Sequence, residues 1–236
     1  MNTMMHEGFT TQHRTVGRVA AWAVFVLGVA YAIITSLGFL SLQSPQDPIG
    51  EPYVTLMELL IVLMAPLYIM SMVAVHAYAP PEKKLYSLLA LIFMILLAGL
   101  TSTIHSVVLT VGPQLAATNL PWAPLFFEWK WPSVAYAVDI LAWDWFFALA
   151  ILFAAAVFKT GRLEKTVQLL LIVGGVLSLA GLLGVLLADM QVRNIGIIGY
   201  AVVAPVGFLF LGILFGRTGQ AQMPSQRRSL LHIAEV

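Results

Sequence analysis

Residues 121–148 read PWAPLFFEWKWPSVAYAVDILAWDWFFA. This stretch holds five of the chain's six tryptophans: Trp122, Trp129, Trp131, Trp143 and Trp145. Its first part is broken by Pro121, Pro124 and Pro132, and each proline removes a backbone donor and stops regular structure. From Ser133 onward no proline or glycine interrupts, and the run is apolar except for Asp139 and Asp144. An unbroken apolar run of this kind reads as a helix that crosses a membrane, because backbone groups cannot stay unpaired in hydrocarbon. An aspartate inside such a helix costs roughly 2.5–3.5 kcal/mol at its centre. The two acids therefore demand partners.

Five similar runs lie outside this stretch. The full set is Val16–Leu40, Tyr53–Tyr78, Leu85–Val111, Pro132–Phe158, Thr166–Ala188 and Ile195–Phe215. Each is close to the ~20 residues that span a bilayer. The first follows Arg14 and Arg18 and is longer than a signal-peptide core, with no small-residue cleavage site after it, so it reads as a retained span. The expected fold class is all-α: a polytopic integral membrane protein with a six-transmembrane-helix bundle. A tail of residues 1–15 precedes the 16–216 transmembrane domain, and a tail of 217–236 follows it.

Composition agrees with that reading. The 236 residues are 60% hydrophobic and only 10% charged, with a mean hydropathy of +0.92. Soluble domains are about half apolar and a quarter charged. A net charge of +1 without a basic stripe argues against a nucleic-acid partner. The absence of cysteine excludes disulfides, thiolate metal sites and cysteine nucleophiles.

Charge also predicts orientation. Arg14, Arg18, Lys83, Lys84, Lys159, Arg162, Lys165, Arg217, Arg227 and Arg228 fall on one side of the six spans, and only Lys130 and Arg193 on the other. The positive-inside rule then places both termini in the cytoplasm of an inner or plasma membrane. Asp189 and Arg193, four residues apart, read as an exposed ion pair, and Gln191–Asn194 as a tight turn. Arg193 is also within reach of Asp139 or Glu58.

Depth selects a candidate site. At about 1.5 Å per helical residue, Glu58 lies roughly 7 Å, His105 roughly 9 Å and Asp139 roughly 10 Å from the outer ends of their spans. Asp144 lies deeper, roughly 18 Å in. Three titratable groups on three successive helices thus share one layer. The expectation is an outward-facing polar and aromatic pocket among helices two to five. Its ligand-binding residues would be Glu58, His105, Asp139, Trp143, Asp144 and Arg193. Trp143, four residues past Asp139, shares its face in an α-helix; Asp144, five residues on, points elsewhere, so one of the two acids is expected to bond Thr101, Tyr31 or Tyr68 while the other lines the pocket. Trp122, Trp129 and Trp131 read as an interfacial aromatic belt.

Several chemistries are argued down. No lysine lies inside a span, which removes a retinal-type Schiff base. His76 and His105 lie at opposite depths, which removes a bis-histidine haem. No G-x-S-x-G elbow is present, and Gly174, Gly175, Gly181 and Gly184 sit inside an apolar helix rather than in a phosphate loop. They suit close helix packing instead. No cofactor and no metal is expected. The expected partners are the lipid bilayer, a small-molecule or lipid ligand, and a membrane protein partner or second copy of the chain.

Three functions fit these residues. The first is binding or transport of a small amphipathic or cationic ligand, because carboxylates and aromatic faces together suit cations. The second is a non-catalytic subunit or assembly factor of a larger membrane complex. The third is an intramembrane enzyme on a lipid-like substrate, with His105 and an acid in proton transfer. The balance leans away from an enzyme.

Overall fold

The computed structural model describes residues 9–44, 49–118 and 120–218. Those residues form helices and no strands. Residues 219–236 of the expected C-terminal tail lie outside them, as does Asp47 between the first two spans.

Among the described residues, six helices are long and apolar enough to cross a membrane: Thr11–Leu40, Tyr53–Tyr78, Pro81–Leu115, Val134–Ala155, Gly161–Leu186 and Met190–Thr218. In chain order the elements are α1 (Thr11–Leu40), α2 (Tyr53–Tyr78), α3 (Lys84–Thr110) and the short α4 (Gly112–Ala116) and α5 (Ala123–Phe127). The fourth span comprises α6 (Val134–Ile140), a π-helical stretch (Leu141–Phe147) and α7 (Ala148–Ala155). After α8 (Gly161–Leu186), the sixth span comprises α9 (Met190–Ile197), a second π-helical stretch (Ile198–Val203) and α10 (Ala204–Thr218).

Local signals explain where the helices begin. Thr10 caps α1 in a capping box with His13, so the first helix starts at Thr11, five residues ahead of the expected Val16. Ser133 accepts the Tyr136 amide and starts α6 beyond the proline-rich loop. Asp189 accepts the amides of Gln191 and Val192 and starts α9. Gln191–Asn194 is therefore helical rather than a turn. The expected Asp189–Arg193 pair does not form, because the Asp189 carboxylate is occupied as a cap and Arg193 turns inward.

The spans follow one another around a closed ring, and α10 returns to pack on α1. Positions on the outside of the ring such as Val26, Ile33, Leu63, Leu169 and Val202 are exposed and apolar. The ring interior is stratified. At its middle, Tyr68 of α2 meets Trp143, Phe147 and Phe208 edge-on, with centroids 5.1–5.9 Å apart. At the end that holds both described termini, Phe9, Tyr78, Phe158 and Phe215 form a second aromatic cluster. The polar residues of the candidate site occupy the opposite end.

Glycine sets the distance between α8 and the sixth span. A Cβ on Gly184 would collide with the Arg193 backbone, and one on Gly199 would meet Ser178 N at 2.7 Å. Close approach at Gly174, Gly181 and Gly184, as expected from their spacing, brings the start of α9 into the polar layer.

Candidate functional site: a buried ionic chain beneath an acidic cavity

Glu58 of α2, His105 of α3, Asp139 of α6, Arg193 of α9 and Asp144 of the first π-helical stretch form one continuous chain. The Nδ1 of His105 is 2.6 Å from Glu58 Oε2, and its Nε2 is 3.3 Å from Asp139 Oδ1. Arg193 Nη2 lies 3.5 Å from Asp139 Oδ2 and 3.3 Å from Asp144 Oδ2. Five helical elements are thereby tied together through charge.

The chain is buried except at Asp139, which is partly exposed. Glu58 is 2% exposed, His105 3%, Arg193 2% and Asp144 0%. In so apolar a setting an unpaired charge is expensive, and mutual pairing is what makes the arrangement tolerable. The two halves are held differently. Glu58 is fully engaged, because its Oε1 accepts the Trp129 indole N–H at 2.7 Å while its Oε2 meets His105. The Arg193–Asp144 contact is ionic: neither carboxylate oxygen of Asp144 has a hydrogen-bond partner, nor do Nε and Nη2 of Arg193.

Arg193 is further held by aromatic faces. Its guanidinium carbon lies 4.9 Å from the Tyr136 ring centroid and 5.8 Å from that of Tyr200. Cation–π attraction of this kind gains strength when desolvated. Tyr31 of α1 stands within electrostatic reach of Glu58, Asp139 and Arg193, which brings the first helix into the same layer.

Asp139 and Asp144 reach the same guanidinium nitrogen, contrary to the expectation that they face apart. The reason is the π-helical stretch that begins at Leu141. An i→i+5 turn brings residues five apart toward one face, whereas an α-turn does not. Asp144 accordingly pairs with Arg193 rather than with Thr101, Tyr31 or Tyr68.

Two tryptophans exchange their expected places. Trp129 leaves the interfacial belt and stacks on His105, with centroids 4.8 Å apart and planes 29° apart. Trp143 packs into the aromatic core against Tyr68, Phe147 and Tyr200 rather than against the polar layer. The sequence carried no periodic signal for Trp129, because it lies in the loop between α5 and α6, where helix spacing does not apply. Tyr136 and Tyr200 were likewise missed, being recognisable only once Arg193 is inside.

Above this chain lies a cavity of about 690 Å³. It is formed by the start of α2, the end of α3 and the α4–α5 loop. Its walls are largely apolar, with Val54, Val108, Leu115 and Phe127 among them, and they carry three carboxylates: Glu51, Glu58 and Glu128. Of the six expected ligand-binding residues, Glu58 alone lines it. His105, Asp139, Asp144 and Arg193 lie behind Glu58, paired with one another. Among the described residues, no cluster of side chains is arranged to hold a metal ion.

Comparison with protein families, with characterised proteins and with solved structures finds no significant match to this chain.

Proposed function

We propose that this chain is a multi-pass protein of an inner or plasma membrane, with both termini cytoplasmic, that binds or transports a small cationic or amphipathic ligand through its outward cavity. The observation that carries this reading is the cavity itself. Three carboxylates surround a largely apolar space, and neither Glu51 nor Glu128 has a basic side chain within ion-pair distance among the described residues. Negative charge on low-dielectric walls focuses the field on an entering cation, and the apolar lining suits an alkyl or aryl body.

Glu58 has the central role, as the cavity residue that is also joined to the buried chain. His105 and Trp129 hold its carboxylate in place, and Asp139, Arg193 and Asp144 anchor His105 from beneath. Trp143 supports this arrangement from the core without meeting the ligand. The outward end carries one exposed lysine, Lys130, and the opposite end carries the remaining lysines, consistent with positive-inside orientation.

Equilibrium binding of tetrapropylammonium to the purified full-length protein tests the proposal. The expected result is saturable binding that weakens at high salt and falls at least about tenfold in Glu58→Gln, a loss of about 1.4 kcal/mol. Absence of saturable binding, or equal binding by a Glu51→Gln/Glu58→Gln/Glu128→Gln protein, would overturn it.

A further inference from the structure

We infer that cation binding in the cavity is coupled to the release of one proton from the trio Glu58, His105 and Asp139. This rests on the reading of the cavity as a cation site and adds the regulation of that site.

The geometry is that of a shared proton. Both ring nitrogens of His105 face carboxylate oxygens, at 2.6 Å and 3.3 Å. A neutral imidazole has one N–H. Filling both contacts takes a second proton, either on the ring or on one of the two carboxyl groups. The trio is thus built around a proton that a neutral histidine flanked by two carboxylates would lack.

The exit for that proton is Glu58. It is the member of the buried chain that lines the cavity, and its Oε2 faces His105 Nδ1 directly. The proton passes from His105 Nδ1 to Glu58 Oε2 and from there to solvent in the cavity; no other bond is made or broken. The indole of Trp129, on Glu58 Oε1, holds the carboxylate in this bridging position.

Charge balance gives the stoichiometry. The groups that face His105, directly or through Asp139, are Glu58 from α2, Asp139 from α6, Arg193 from α9 and Asp144 from the π-helical stretch. Tyr31 from α1, Tyr136 from α6 and Tyr200 from the sixth span are neutral neighbours. With the proton present, three carboxylates oppose a guanidinium and an imidazolium, leaving a single negative charge. Loss of the proton doubles that charge. A monovalent cation beside Glu58 restores it. Changes in buried net charge are strongly opposed in a medium of low dielectric, so cation and proton substitute for each other.

Calorimetric titration of tetrapropylammonium into the full-length protein, in buffers of different ionisation heat, tests the coupling. The expected result is about one proton released per cation bound, with the Kd falling about tenfold per pH unit while the trio is protonated in the free protein, as linkage to one proton requires. His105→Gln is expected to bind with no proton release and a pH-independent Kd. Should that variant not fold, as judged by size exclusion, Asp139→Asn serves in its place. Removal of a negative charge beside His105 moves the midpoint of the pH dependence to lower pH. Absence of binding by the wild type overturns the cavity reading itself. Binding without proton release overturns the coupling alone. Undiminished release by His105→Gln, or an unmoved midpoint in Asp139→Asn, removes the trio as the source of the proton.

Discussion

The Asp144 carboxylate rests directly on Gly196, so that a Cβ at position 196 would stand only 1.9 Å from Asp144 Oδ1. A Cβ on Gly181 of α8 would stand 2.6 Å from the same oxygen. The acid therefore reaches Arg193 through a slot between two glycines, one on each helix. Backbone–backbone approach and charge pairing at this point are the same feature.

Alanine at Gly196 should break both. Overpacking alone costs about 1–3 kcal/mol, and displacement of Asp144 from Arg193 adds to it. Thermal unfolding in detergent is expected to show a clear loss for Gly196→Ala and for Gly181→Ala. Gly99→Ala is the control, since nothing lies within 4 Å of a Cβ there. A Gly196→Ala protein as stable as the control would show that the slot can widen at no cost.

Arg193 meets the buried Asp144 and the partly buried Asp139 at once, so its removal should be among the most damaging single changes. Loss of one partner from a buried pair costs about 3–5 kcal/mol, and Arg193→Met leaves Asp144 without a counter-charge and Asp139 with His105 alone. Adding Asp144→Asn to Arg193→Met should recover part of the loss, and a double-mutant cycle reads that coupling. Arg193→Lys should not substitute fully, because a lysine ammonium lacks the planar face set against Tyr136 and Tyr200.

Trp129 separates stacking from hydrogen bonding. Trp129→Phe keeps an aromatic face over His105 but removes the N–H that Glu58 Oε1 accepts. A hydrogen bond to a charged group contributes about 1.5–3 kcal/mol. Chemical denaturation should register a loss of that size, and Trp129→Ala a larger one. Equal losses for the two variants would assign the role of Trp129 to its hydrogen bond alone, and an undiminished Trp129→Phe would assign it to stacking and volume.

Orientation is open to direct labelling, because the chain has no cysteine of its own. A membrane-impermeant maleimide applied to intact cells should modify Lys130→Cys and spare Lys83→Cys. Permeabilised cells should expose both. The reverse pattern would invert the assignment of the termini.

At the opposite end of the ring, Glu164 ties helices together without lining the cavity. Its Oε2 accepts from the amides of Lys159 and Thr160 and from the Thr160 hydroxyl, while its Oε1 accepts the Tyr78 hydroxyl. Glu164→Ala should loosen the turn between α7 and α8, visible as faster hydrogen exchange at residues 159–161. Tetrapropylammonium affinity should be unchanged. A loss of affinity would mean that the two ends of the bundle communicate.

The sequence by itself determined the six helices, their order and the layer in which the polar residues lie. The physical reason is that these follow from one-dimensional quantities. Apolar run length is matched to bilayer thickness, proline and Ser, Thr or Asp mark helix starts, and depth follows from counting residues along a helix. Glu58, His105 and Asp139 were legible in this way because each stands inside an α-helical segment at a countable distance from its end. What only the tertiary structure decided is the direction in which each group faces and the partner it meets. The π-helical turn at Leu141 rotates Asp144 onto Arg193, and no spacing rule in an α-helix anticipates that. The glycine contacts between α8 and α9 draw Arg193 from a supposed surface turn into the core. Trp129 reaches His105 from a loop, where periodicity is silent. A charge reads as exposed or buried only when the helices around it are known, and here that packing converts a layer of separate acids into a single chain ending at Glu58.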